Sequence, residues 1–292
     1  MSDDPFVTHR SLLFTVAYEM LGSAADAEDV VQETWLRWAD VERTQVRDPR
    51  AYLVRVVTRQ ALNRMRTLSR RREDYVGEWL PEPLLTSPDV AEDVELAESV
   101  SIAMLTVLET LAPTERAVFV LREVFDVPYD EIGEAVGKTP VAVRQVARRA
   151  RDHVAARRPR MEVDRAEQEQ VVGRFLAAVT TGDVQALMDV LAPDVVAIAD
   201  GGGFVRGAAR RPVRGAERLA VALLRGIASV SPDRLTIAPL WLNGAPGVRI
   251  DVEGEVTVAL SVTVSGGRVT RIFGISNPHK LARLDAEAAL AR

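Results

Sequence analysis

The chain has 292 residues, room for two or three domains, and its 47% hydrophobic and 27% charged residues are the proportions of a soluble globular protein. It has no cysteine, which excludes disulfides and thiolate metal sites and suits a reducing cytoplasm. An acidic start, Met1-Ser2-Asp3-Asp4-Pro5, and the lack of any apolar run near the roughly 18 residues of a membrane span argue against a signal peptide and a membrane location. The net charge of −5 is unevenly spread. Residues 50–72 carry eight arginines and no acid, residues 138–160 are again basic, and the acidic stretch 73–99 lies between them. Two basic blocks across an acidic connector point to two separate nucleic-acid contacts.

In chain order, residues 5–72 read as helical. Phe6, Leu12, Leu13, Val16, Ala17, Met20 and Leu21 form a stripe that stops at Gly22. Ser23 or Asp26 can start a second helix to Trp38, with Val31, Trp35 and Trp38 on its apolar side and Asp29, Gln32 and Glu33 together on another face. A loop at 42–49 follows, without an aromatic residue. Tyr52, Leu53, Val56, Val57, Ala61, Leu62 and Met65 then mark a long helix whose polar surface carries Arg55, Arg59, Asn63, Arg64 and Arg66, basic enough to track phosphates. The connector 73–95 is rich in proline and acid, yet Tyr75, Val76, Trp79, Leu80, Leu84 and Leu85 are too apolar for an exposed tether. They predict packing against the flanking domains or docking onto a third element.

A helix is predicted over 96–111, and another from Pro113 to Glu123. Ile132, Ala135 and Val136 then share one short helical pattern, and Val143, Val146, Ala147 and Ala150 a second. Gly137 suits the left-handed end of the first, Thr139 caps the second, and Pro140 fits its first turn. This is a helix-turn-helix. Its second helix leaves Arg144, Gln145, Arg148 and Arg149 off the apolar stripe; arginine pairs with a guanine edge and glutamine with an adenine edge, each for about 1–3 kcal/mol of discrimination.

Beyond residue 164 the pattern changes. Helices around Val171–Val179 and Leu187–Leu191 precede strand-like runs at 195–199, 235–238, 247–252, 256–264 and 268–275, with a helix at 216–227. Ser265-Gly266-Gly267 joins the last two runs as a hairpin. Helices followed by a curved antiparallel sheet make an α+β cone.

Asp26-Ala27-Glu28-Asp29-Val30-Val31-Gln32-Glu33-Thr34-Trp35, the stretch from Ala51-Tyr52-Leu53 to Asn63-Arg64-Met65-Arg66, and the helix-turn-helix resemble regions 2 and 4 of an extracytoplasmic-function (ECF) sigma factor, a small alternative subunit of bacterial RNA polymerase. The C-terminal part resembles a SnoaL-like domain of the NTF2-like superfold. The motifs Trp79-Leu80-Pro81-Glu82-Pro83, Asp200-Gly201-Gly202-Gly203 and Asn277-Pro278-His279-Lys280-Leu281 resemble those of the ECF subgroup that carries this domain. That subgroup usually has lysine where Phe204 stands and aspartate where His279 stands.

The resemblance implies a multidomain fold: an all-α region 2 domain at 1–72, a linker at 73–95, an all-α region 4 domain at 96–160, and an NTF2-like cone at 164–292. It implies a non-enzymatic sigma subunit without cofactor or metal, whose partners are core RNA polymerase and promoter DNA. Asp29, Gln32 and Glu33 would face the β′ clamp helices, and region 4 the β flap. The loop at 42–49 would capture a flipped base of the −10 element, Arg55, Arg59, Asn63, Arg64 and Arg66 would hold the −10 single strand, and Arg144, Gln145, Arg148 and Arg149 would read the −35 duplex. The fused domain would act in cis: Asp200, Gly201, Gly202 and Gly203, with Asn277, Pro278, Lys280 and Leu281, would hold Trp79, Leu80 and Pro81.

Two other readings stay open at this point. One is a ligand-sensing repressor, which the acidic overall charge disfavours. The other is an isomerase or cyclase with a DNA-binding appendage, in which Asp200, His279 and Trp241 would line a pocket in the cone; the same pocket has room for a small ligand of unstated kind.

Overall fold

The computed structural model describes residues 4–157 and 165–292, with the backbone alone over 69–73. Arg70, Arg71, Arg72 and the predicted boundary between 160 and 164 therefore fall outside the described side chains and residues. Among the described residues no helix is long and apolar enough to cross a membrane.

Three helices form the first unit: α1 (Pro5–Leu21), α2 (Ala24–Ala39) and α3 (Pro49–Glu73). Asp4 caps α1 by accepting from the Phe6 amide, and the same oxygen accepts from the Trp38 indole at 2.9 Å, tying α1 to the end of α2. Of the two possible starts for α2, Ser23 is the cap and accepts from the Asp26 amide. Val31 and Trp38 are buried as predicted, but Trp35 is 45% exposed and its neighbour Leu36 53% exposed. Trp35, the middle position of that stripe, turns away from the core because α1 and α3 already cover the other side of α2.

The predicted helix over 96–111 is two helices, α4 (Val94–Val100) and α5 (Ile102–Leu108). Ser101 breaks it: extended at ψ 143°, it caps α5 by accepting from the Met104 amide at 3.1 Å. A serine hydroxyl that can replace a backbone partner competes with helix continuation, and hydrophobic periodicity does not register this. After α6 (Pro113–Phe119) the chain widens into a π turn over Val120–Val124, where an ordinary helix to Glu123 is predicted. The helix-turn-helix is α7 (Tyr129–Val136) and α8 (Pro140–Ala155). Gly137 lies at φ 69° between them, and the Thr139 hydroxyl accepts from the Ala142 amide, as the sequence predicts. One continuous apolar core joins both units, running from Leu13, Met20 and Leu53 to Leu105, Phe119, Ile132 and Val146.

The C-terminal unit has α9 (Arg165–Thr181), α10 (Val184–Val190), β1 (Leu191–Asp200), β2 (Val213–Arg214), α11 (Ala216–Ala228), β3 (Leu235–Leu242), β4 (Ala245–Val252), β5 (Glu255–Ser265), β6 (Arg268–Ile275) and α12 (Pro278–Leu281). The sheet order is β2-β1-β6-β5-β4-β3. Strands β3 to β6 form a meander on short turns, and Gly266 and Gly267 make the predicted hairpin turn. The expected purely antiparallel sheet is corrected at one pair, because β1 runs parallel to β6. The long return through α11 and the meander brings β6 alongside β1 in the same direction, and no short-range signal encodes that. The architecture is otherwise the predicted α+β cone, with α9, α10 and α11 packed on one face of the sheet.

Candidate nucleic-acid interface and the linker clamp

The four predicted base-reading residues, Arg144, Gln145, Arg148 and Arg149, all sit on the exposed side of α8, while Val143, Val146, Ala147 and Ala150 face the core. Arg149 has a loose ion pair with Glu115 at 3.6 Å, and Arg144 lies 5.9 Å from the Tyr129 ring centroid. The fixed angle across Gly137 therefore presents a basic helix face to solvent.

The predicted phosphate-tracking residues of α3 are placed differently. Arg55 is ion-paired with Glu134 of α7 at 2.5 Å, and Arg59 donates to the Glu134 carbonyl at 2.7 Å. Arg64 bridges Asp26 and Asp29 of α2 at 2.6 and 2.9 Å. Asn63 and Arg66 are exposed and bonded to each other at 3.2 Å. In this arrangement α7 covers part of the α3 surface that the sequence marks for DNA, and Arg55 and Arg59 are engaged within the chain. Asp29, Gln32 and Glu33 share an exposed face of α2, with Asp29 drawn toward Arg64. The 42–49 loop forms a short 3-10 turn at Arg43–Gln45, where Arg43 reaches Asp4 at 2.9 Å and lies 5.5 Å from the Trp38 ring. Asp48 caps α3 through the Ala51 amide.

The linker is fastened on both sides. Leu80 is fully buried, in a small core with Ile102, Ala259, Phe273, Ile275 and Leu281. Beneath it lies the carboxylate of Asp200, at the end of β1, whose side chain is 0% exposed. A carboxylate has about four acceptor positions, and all four are used. Oδ1 accepts from the Tyr75 hydroxyl at 2.5 Å and the Gly202 amide at 3.0 Å; Oδ2 accepts from the Leu80 amide at 2.8 Å and Lys280 Nζ at 2.7 Å. Lys280 Nζ also donates to the Leu80 carbonyl and lies 4.0 Å from the Trp79 ring and 5.2 Å from the Tyr75 ring. Asn277 Nδ2 donates to the Tyr75 hydroxyl at 2.8 Å, and the Asp200 carbonyl accepts from the Ser276 and Asn277 amides. Burial, then the bond to the Asp200 carboxylate, raise the Tyr75 pKa above the ordinary phenol range. The three motifs thus converge on one buried ion pair.

Gly201, Gly202 and Gly203 form the turn beyond Asp200, and a Cβ on Gly203 would stand 3.1 Å from Val76 of the linker. Pro278 begins α12, capped by Asn277, and places Lys280 and Leu281 one turn later. Pro81 is buried beside Leu80. Phe204 and His279, the two residues at which the motifs differ from the subgroup, meet each other as an edge-on ring pair at 4.8 Å. Where the subgroup places lysine and aspartate, this chain joins the same two loops by an aromatic contact.

Residues outside the predicted set complete the clamp. Glu82, 3% exposed, turns Oε2 onto the start of α2, accepting from the Ser23 hydroxyl at 3.1 Å and the Ala24 amide at 2.8 Å, and burial raises its pKa. Trp79 covers Gly22, whose φ of 66° and missing Cβ leave room for the indole. Asn243, in the β3–β4 turn, is fully buried and donates to the Tyr18 hydroxyl and the Val100 carbonyl while accepting from the Leu84 amide. The Asn-Gly pair between two apolar runs announces a hairpin turn; no sequence signal announces that its side chain joins three other segments. At the far end, the Ala288 amide donates to the Leu85 carbonyl, the Ala291 amide donates to the Thr15 hydroxyl, and Arg292 pairs with Asp93 and Glu95.

The cone holds a cavity of about 480 Å³ on the α11 side of the sheet. Asp200, His279 and Trp241, expected to line such a pocket, do not line it. Asp200 is turned to the linker, His279 to Phe204, and Trp241 to Arg165, 4.6 Å from its ring centroid. Asp200 closes β1 where the chain turns into the next loop, His279 belongs to α12, and Trp241 lies near the far end of β3, six residues from the cavity-lining Leu235.

Comparison with known proteins agrees with this architecture. Residues 6–71 match the family model for sigma-70 region 2, and residues 101–154 match the model for sigma-70 region 4. The chain is 38% identical to the ECF RNA polymerase sigma factor SigJ of Mycobacterium tuberculosis, over 96% of this chain and 93% of the relative. It is 32% identical to the probable ECF sigma factor SigI of the same species, over 96% and 94%. The crystal structure of M. tuberculosis SigJ superposes with a TM-score of 0.77 at 34% identity, covering 96% of this chain and 98% of that one. The helical regions, the linker and the cone are shared along nearly the whole length, and the chain belongs to the ECF family of alternative RNA polymerase sigma factors, which direct transcription initiation, in the form that carries a C-terminal NTF2-like domain.

Proposed function

We propose that the cone regulates the sigma module in cis by holding the linker, and that this hold sets how regions 2 and 4 are presented to polymerase and promoter. The four-acceptor arrangement of Asp200 around Tyr75, Gly202, Leu80 and Lys280 is the observation that carries the reading. A linker seated in this way fixes the distance between α3 and α8. In the fixed state Glu134 also occupies Arg55 and Arg59.

On release, α7 leaves α3. Arg55 and Arg59 then meet the −10 strand beside Asn63 and Arg66, Arg64 joins them by exchanging Asp26 and Asp29 for phosphate, and Arg144, Gln145, Arg148 and Arg149 read the −35 duplex. The exposed Asp29, Gln32 and Glu33 offer acceptors to a basic surface such as the β′ clamp helices, and Trp35 and Leu36 beside them add apolar area. The cavity lining contains neither a carboxylate nor an imidazole, which favours a regulatory role over acid–base catalysis.

The test is in-vitro transcription with core polymerase, comparing the full chain with D200N and with the charge-neutral pair D200N/K280M. Both variants are expected to change promoter-specific output relative to wild type while melting cooperatively. Identical output from all three would remove the cone from promoter control.

A further inference from the structure

The cavity of the cone and the seat of the linker lie on opposite faces of the same strands. On β5, Val258 and Leu260 face the cavity while Ala259 packs with Leu80. On β6, Ile272 and Gly274 line the cavity and Phe273 and Ile275 the linker core. The connection from β1 to β2 does both within a few residues. Val205 to Ala209 wall the cavity; Asp200 and Gly202 bind Tyr75 and Leu80 or one another, Gly203 abuts Val76, and Arg210 abuts Gly77. Ser276 lines the cavity next to Asn277, which holds the Tyr75 hydroxyl.

The lining is mainly aliphatic, with the exposed Arg206 at its mouth as the one charged group and Ser229, Thr257 and Ser276 as small polar ones. Arg206 makes no ion pair with any described residue, and no acid lines the cavity to neutralise it. A volume of about 480 Å³ lies within the range of small-molecule sites. An aliphatic cavity with a guanidinium at its mouth suits an apolar molecule ending in one anionic group: the tail removes apolar surface from water, and the head meets the charge at the solvent edge.

We propose that this cavity binds an apolar organic anion of the carboxylate or sulfonate kind, and that occupancy shifts the 200–210 loop and thereby the grip on Leu80. The second half rests on the cis-regulatory reading above; the first does not. A ligand between β5 and the loop acts on Asp200 through Ile198 and Ala199, which line the cavity immediately before it. Coupling of this kind is reciprocal, so a change in grip on the linker also changes ligand affinity.

The experiment uses the full chain. Fluorescence titration with 1-anilinonaphthalene-8-sulfonate, an aromatic probe with one sulfonate, is expected to give saturable binding that decanoate displaces. V258W fills the cavity and is expected to abolish it; R206Q is expected to weaken it about threefold, the effect of losing one solvent-exposed charge. Cooperative melting of each variant excludes the dye response of a loosened core. Hydrogen exchange at the Leu80 amide, with and without decanoate, reads the coupling, with a severalfold change expected in wild type and none in V258W. Probe binding that V258W and R206Q leave unchanged would overturn the site. Displaceable binding with unaltered Leu80 exchange would overturn the coupling and leave the site standing. A D200N variant that transcribes like wild type would instead count against the cis-regulatory reading alone.

Discussion

Asn243 Nδ2 donates to the hydroxyl of Tyr18 across 2.7 Å, joining residues 225 positions apart in the chain. Both side chains are fully buried, and burial raises the Tyr18 pKa above the ordinary phenol range. The same amide reaches the Val100 carbonyl and the Leu84 amide, so one side chain meets region 2, the linker and the start of region 4. N243A loses three buried bonds and places alanine at φ 52°, and it is expected to destabilise the chain by about 2–4 kcal/mol. N243G removes the backbone strain but still lacks the three bonds, so it should recover only a minor part of the loss. Denaturant midpoints of the two variants separate the contributions.

The Asp200–Lys280 pair sits between a fully buried carboxylate and an ammonium whose side chain is 12% exposed. Removing one partner strands the other, so D200N is expected to lose about 3 kcal/mol of stability. D200N/K280M removes both charges and should be more stable than D200N alone. A double-mutant cycle on chemical unfolding measures this coupling. Equal and additive losses would mean that the pair is solvated despite its position.

Glu19 has no counterpart in the sequence reading. Burial pushes its pKa up from 4.5 to about 8; one oxygen accepts from the Ser99 hydroxyl and the other has no partner. The nearby Arg116 pairs with Glu109 and donates to the Glu19 backbone carbonyl, and its own pKa is lowered to about 9 by burial. With the folded pKa of Glu19 above the unfolded one, the folded chain holds the extra proton between about pH 4.5 and 8. Stability therefore falls as pH rises through that window, by at most about 1.4 kcal/mol per unit, and levels off above it. E19Q, which has no proton to lose, is expected to unfold with a smaller pH slope and to gain on wild type toward pH 8. Parallel denaturation curves at pH 5.5, 7 and 8 would show the opposite.

Glu134 holds Arg55 by an ion pair with a side chain that is 62% exposed, so the contact is a weak one. E134A is expected to free Arg55 at a stability change of about 0–1 kcal/mol. The resulting holoenzyme should bind single-stranded −10 DNA up to about fivefold more tightly, with a steeper salt dependence as the added phosphate contact forms. Fluorescence anisotropy at two salt concentrations checks both.

Local chemistry was legible in the chain. The αL glycine at 137 with its Thr139 cap, and the Gly266-Gly267 turn, state their conformations in a few consecutive residues. The linker's apolar residues also announce that it is covered, and Leu80 and Leu84 are; Val76, 45% exposed, shows that composition does not say which ones. The break at Ser101, the parallel β1–β6 pair and the turn of Asp200 away from the cavity depend on neighbours distant in sequence. Glu82 illustrates the same limit. As a letter in a motif it reads as linker charge, and only the folded chain shows it capping a helix that begins 58 positions earlier.

The order of the clamp's parts along the chain has a temporal side. Tyr18, Gly22, Trp79 and Leu80 leave the ribosome well before Asp200, Asn243 and Lys280 exist, and early domains fold as they emerge. Each newly made molecule therefore passes through an interval in which regions 2 and 4 are complete and the segment between them is held from the region 2 side, by Gly22, Ser23 and Ala24, but not yet by the cone. On the cis-regulatory reading the restraint comes only once residues 200–280 have been made, so a ribosome stalled in that stretch would display an unrestrained sigma module.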